Sequence, residues 1–134
     1  MKRTPTPFAT KPLPAEVDAL APDTSEIRVL LAATGGSMAH GTLPPGGVSL
    51  AVRHRSVDEI WYVLGGEADI WRKQGDQEEI VRARPGICLT ISVGTSFQFR
   101  TVSAEPFRFV MVTMPAWPGD GECERVSDHW IISG

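Results

Sequence analysis

Apolar and polar positions alternate along most of this chain in short runs, each closed by a cluster of glycine and proline. An alternation with period two is that of a strand with one face buried. The pattern predicts strands over 27–32, 37–43, 48–54, 59–64, 67–73, 78–83, 87–91, 96–101 and 107–114. Between them stand Gly35-Gly36, Pro44-Pro45-Gly46-Gly47, Gly65-Gly66, Gln74-Gly75-Asp76, Arg84-Pro85-Gly86 and Ala104-Glu105-Pro106. Glycine supplies positive φ and proline fixes φ, so each cluster reads as a turn. Gly65-Gly66, between two apolar runs, predicts a tight hairpin. Many short strands at near-regular spacing, with no long helical pattern, predict an all-β sandwich or barrel.

The ends depart from this pattern. Pro5, Pro7, Pro12 and Pro14 make the first residues an extended or disordered arm, with one short helical turn expected over 16–20. The expected organisation is an N-terminal arm over 1–26, a barrel over 27–114 and an irregular tail over 115–134. The arm is either loose or exchanged between protomers. Trp117 and Trp130 in the tail cover core or interface surface, or cap the mouth of a pocket.

Composition narrows the function classes. A chain of 134 residues fits one domain with one sizeable core. Its net charge of −3 and its lack of a basic cluster argue against nucleic-acid binding. No run is long and apolar enough to span a bilayer, and the prolines near the N-terminus argue against a secretory signal. Cys88 and Cys123 lack metal-motif spacing and read as free thiols of a reducing cytoplasm. Cys88, in an apolar run, reads as a small core residue. No phosphate loop or nucleophile elbow appears.

Two stretches carry the candidate chemistry. In the first, Gly46 is followed after five residues by Val52-Arg53-His54, then by Glu59 and Gly66. In the second, Gly86 is followed by Ser92, Gly94, Phe97 and Thr101. These spacings resemble, without a gap, the paired motifs of the cupin family. The resemblance implies a double-stranded β-helix, or jelly roll, of two antiparallel sheets. In metal-binding cupins two histidines and a glutamate from the first motif meet one histidine from the second. The matching positions here are Val52, His54, Glu59 and Phe97, and only His54 and Glu59 carry donor atoms.

A catalytic zinc or iron site takes about three protein ligands and an open position. One imidazole and one carboxylate fall short, so no cofactor is expected. A divalent transition metal is the alternative, with His40 completing a His40, His54, Glu59 set. Alternation places Met38, His40 and Thr42 on one face of their strand but does not say which face is inside. It groups Val52 with His54, Glu59 with Trp61 and Val63, and Phe97 with Phe99. In the cupin register, Val52, His54, Glu59, Trp61, Phe97 and Phe99 line an apolar, aromatic cavity with a few polar groups. That composition is usual for a small-molecule site.

The leading expectation is thus a small-molecule-binding cupin without the standard metal site, a homodimer by analogy with small cupins. The alternative is an isomerase, epimerase or cyclase. It would use His54 and Glu59 as an acid–base pair, or as metal ligands with His40. His54 and Glu59 also fit a satisfied polar island in the core, joined by a hydrogen bond. A third reading is an interaction subunit with an apolar patch at Trp117 or Trp130.

Overall fold

A computed structural model describes residues 5–132. It contains eleven strands and, among the described residues, no helix: β1 (Ala19–Leu20), β2 (Glu26–Ala33), β3 (Gly36–Leu43), β4 (Val52–His54), β5 (Asp58–Gly65), β6 (Ala68–Gln74), β7 (Gln77–Ala83), β8 (Cys88–Ile91), β9 (Ser96–Thr101), β10 (Phe107–Met114) and β11 (Cys123–Arg125). A six-stranded sheet has the order β1-β2-β3-β10-β5-β8, and a five-stranded sheet has the order β11-β4-β9-β6-β7. All pairings are antiparallel. The expected all-β jelly roll of two antiparallel sheets is the fold observed.

The core is an aromatic column between the sheets. Trp61 stacks on Phe109 with ring centroids 4.3 Å apart, and Phe99 meets Trp61, Phe107 and Phe109 edge-on. Each such ring buries about 150–250 Å² of surface, so these side chains dominate the apolar driving force. The column needs room. A Cβ on Gly41 would lie 2.5 Å from the Phe109 ring, which explains a glycine in the middle of β3.

Gly65-Gly66 does not make the expected hairpin. β5 pairs with β10 and β8 in one sheet, and β6 pairs with β9 and β7 in the other. The dipeptide is a corner where the chain crosses between sheets. Gly66 has φ +67°, and a Cβ there would sit 2.2 Å from the Pro106 carbonyl oxygen, so the corner demands glycine twice over. The tight turn is instead Gly75-Asp76, between paired Gln74 and Gln77 of the β6–β7 hairpin.

Three further differences concern the residues before β2, the run over 48–54 and the tail. The expected helical turn over 16–20 is extended. Asp18 N–H donates to the Ile27 carbonyl, its carboxylate accepts from Val29 N–H, and Ala19 and Leu20 pair with Ile27 and Glu26. An otherwise open edge of β2 takes up the backbone groups that a helix would have used. Lys11 and Arg28 tie residues 11–15 to the same strand, while the first four residues of the arm lie outside the described ones.

The strand expected over 48–54 is regular only at Val52–His54, with Val48 in an isolated bridge to Arg100. The tail, expected to be irregular, supplies β11 beside β4. It is pinned further along by Gln98, a fully buried side chain. Gln98 donates to the Ser49 and Trp130 carbonyls and accepts from His129 and Trp130 N–H.

Candidate functional site

Glu59 and His54 reach the interior from opposite sheets. Glu59 lies on β5 and is 3% exposed; His54 lies on β4 and is 4% exposed. Both side chains are buried inside the barrel. Glu59 accepts hydrogen bonds from the Trp61 indole N–H at 3.0 Å and the Thr113 hydroxyl at 2.7 Å, one on each oxygen. A buried carboxylate needs such partners, and these fix its orientation.

His54 is held differently. Its Nε2 lies 3.9 Å from Glu59 Oε1, beyond hydrogen-bond length, so the two are neighbours without the expected bond. Its ring is wedged edge-on between Phe97 at 5.3 Å and Trp117 at 5.7 Å. Its Nδ1 is buried and has no partner among the described residues.

A cavity of about 500 Å³ opens onto this pair. His54, Glu59, Trp61, Met111 and Thr113 line it from the barrel, and Ala39 and Ser37 from β3. The segment around Asp23, together with β2, forms a second wall, and Trp117, Asp120 and Cys123 form the rim. Of the six residues expected to line the cavity, only His54, Glu59 and Trp61 do so. Val52, Phe97 and Phe99 are each at most 1% exposed and fill the core beneath it. The chain closes that end of the barrel with Phe97 packed on both His54 and Trp61.

His40 does not join the pair. It is opposite Val110 on β10, which is opposite Tyr62 on β5. That is the face away from Trp61 and Glu59, and the parity the sequence left open is settled by Gly41 lying against the Phe109 ring on the inner side. His40 is buried all the same, with both ring nitrogens unpartnered among the described residues. Burial, with Arg108 and Arg28 nearby, lowers its basicity. The three-ligand set of His40, His54 and Glu59 is therefore not assembled. No group of three or more His, Cys, Asp or Glu among the described residues could hold a metal ion. Of the four positions matched to the motif ligands, His54 and Glu59 carry donor atoms, and Val52 and Phe97 carry none.

Two residues of the cavity were not singled out from the sequence. Asp23 is 7% exposed and holds Ser25 through its N–H at 2.9 Å and its hydroxyl at 2.6 Å, both on Oδ1. Burial raises its pKa, the Ser25 bonds oppose this, and the charge of Glu59 raises it further. Cys123 pairs with His54 across the β4–β11 ladder. Burial pushes its thiol up to about 12, with Asp23, Glu59 and Glu122 adding to the shift, so it is a poor nucleophile at neutral pH. Neither lies in a motif, and only the fold brings them to His54. Cys88, expected in the core, is exposed on the outer face of β8.

The two facing antiparallel sheets form a jelly roll, an architecture that includes the cupins. Comparison places this chain within it: the family model described as "Cupin domain" matches residues 39–113, and the chain belongs to the cupin family. Solved structures agree on the fold. A conserved protein of Klebsiella pneumoniae with a double-stranded β-helix domain is 20% identical over 78% of this chain and 85% of that one, with a TM-score of 0.64. KdgF from Halomonas sp. is 18% identical over 75% and 87%, with a TM-score of 0.61. A predicted oxalate decarboxylase of Thermotoga maritima is 22% identical over 68% and 80%, with a TM-score of 0.58. No curated protein matches the chain.

Proposed function

We propose that this protein is a cytoplasmic small-molecule-binding cupin whose standard metal site has been replaced by an apolar, aromatic floor. The observation that carries this reading is the cavity of about 500 Å³ beside His54 and Glu59, retained although Val52 and Phe97 occupy the positions of two ligands. That volume lies in the range of small-molecule sites, and its mix of aromatic walls and a few converging polar groups is theirs too. His54 and Glu59 act as orienting groups for the ligand. The acid–base reading has less support, because Glu59 spends both oxygens on Trp61 and Thr113 and does not bond the imidazole. An oxalate-directed reaction is disfavoured as well. The cavity lining has no Lys or Arg to offset a dianion.

Two free cysteines support the cytoplasmic part of the reading, and no helix of the described residues is long and apolar enough to cross a membrane. Pairing of two copies is part of the proposal. Exposed Ile60, Tyr62 and Leu64 form an apolar stripe on the outer face of β5, and light scattering should return the mass of a dimer.

The binding reading is tested with the neutral fluorescent probe N-phenyl-1-naphthylamine. Saturable one-to-one binding is expected, with loss in Ala39→Phe, which fills the cavity from β3. Absence of saturable binding, or undiminished binding by a folded Ala39→Phe, contradicts it.

A further inference from the structure

Among the side chains that line the cavity, carboxyl groups are plentiful, and Lys and Arg are absent. Asp23, Glu59 and Asp120 line it, and no Lys or Arg does. Two of the three carboxyls are at least nine-tenths buried. Glu59 has both oxygens occupied by Trp61 and Thr113. Asp23 differs: Ser25 takes one oxygen twice, and Oδ2 has no hydrogen-bond partner among the described residues. His54 also lines the cavity, with its Nδ1 buried and unpartnered among the described residues. The indole of Trp117, edge-on to His54, and that of Trp61 supply aromatic wall.

A buried acid with an open oxygen beside a second buried carboxylate is an unfavourable arrangement when empty. It becomes favourable when a group carrying positive charge and N–H donors sits between them. Aromatic faces add to the attraction for an ammonium group. An anionic ligand meets two buried carboxyl groups and no Lys or Arg.

We propose that the cavity is an amine site. It selects a small primary amine with an aromatic or aliphatic body, seats its ammonium on Asp23 Oδ2 and the Glu59 side of the cavity, and rejects the carboxylate of the same shape. This rests on the small-molecule reading above and adds the charge class of the ligand. Asp23 is the specificity-determining residue. Cys123 and His54 are the other titratable groups near Asp23. The raised thiol pKa of Cys123 keeps it neutral at physiological pH, so it does not compete for the cation.

The test uses the full chain and two probes of nearly equal size and opposite charge, 2-phenylethylamine and phenylacetate, at pH 7.5 by calorimetry. The neutral naphthylamine probe is run alongside. The amine is expected to bind roughly tenfold or more tightly than the acid, the gain of one charge-assisted contact. Asp23→Asn should lose that preference while still binding the neutral probe. Equal or tighter binding of phenylacetate overturns the inference and leaves the pocket reading standing. So does undiminished amine preference in Asp23→Asn, or binding of the neutral probe alone. Failure of all three probes overturns both readings.

Discussion

Val52 and Phe97 are direct partners across the β4–β9 ladder, facing each other inside the barrel with no lone pair between them. Glu59 and His54 stand beside them, 3.9 Å apart. The four positions of the family's metal set are thus converged in space, and only their chemistry is missing. The double substitution Val52→His with Phe97→His should create three imidazoles and a carboxylate around one point. One side chain grows and the other shrinks, so the packing change is partly self-cancelling. The variant is expected to take up one equivalent of Zn²⁺ or Co²⁺ where the parent takes none. A folded double variant that binds no metal would show that the inward faces of β4 and β9 are misplaced.

Asp23→Asn should change how stability depends on pH. The folded-state pKa of Asp23 is raised above its unfolded value of 3.8, mainly by burial. Between those two values the folded chain holds a proton that the unfolded chain has released. Parent stability therefore falls as pH rises through that window. Asparagine keeps the acceptor for Ser25 and removes the ionisation. Asp23→Asn should melt higher than the parent at pH 7, with the gain shrinking as the pH falls toward 4. A variant that melts lower at pH 7, with no trend, would mean that the carboxylate is satisfied in the fold.

The tail should come free when Gln98 is truncated. Four hydrogen bonds run from its amide to Ser49, His129 and Trp130. Gln98→Ala leaves buried backbone groups unpaired, at a cost of about 2–3 kcal/mol. Urea titration measures this loss, and faster tryptic cleavage after Arg125 reports the release of the tail. Unchanged cleavage would place the anchor elsewhere, for example in the stacking of Arg100 on Trp130.

Trp117→Ala separates the cavity rim from the core. Trp117 is partly exposed, so its loss should cost about 1 kcal/mol or less of stability. It also walls the cavity against His54, so affinity for the neutral naphthylamine probe should drop roughly tenfold, the loss of a buried aromatic contact. Fluorescence titration checks the affinity. Undiminished binding would remove Trp117 from the site.

Much of the fold was legible because strand alternation is local. Nine runs predicted strands, and all nine contain one. Parity alone grouped Glu59, Trp61 and Val63 on one face, and all three are buried. What alternation could not supply is pairing. Gly65-Gly66 looks the same in a hairpin as in a corner between sheets, and only the partners of β5 and β6 tell them apart. His40 could not be oriented for a related reason: neither face of its strand is uniformly apolar, and the deciding contact is Phe109 against Gly41, far away in sequence. Phe97 was placed on the correct face but given the wrong role. Whether an inward ring lines a void or fills one depends on everything packed against it. Asp23 lay outside every motif, and a buried carboxyl between Pro22 and Thr24 leaves no periodic trace.

The most direct test of the central claim is the metal content of untagged protein purified without chelators, by elemental mass spectrometry. No stoichiometric transition metal is expected, and none should be retained after soaking in Zn²⁺ or Mn²⁺ and desalting. A near-stoichiometric metal that is lost in His54→Ala would contradict it, and would mean that the cavity beside His54 and Glu59 is a metal centre after all.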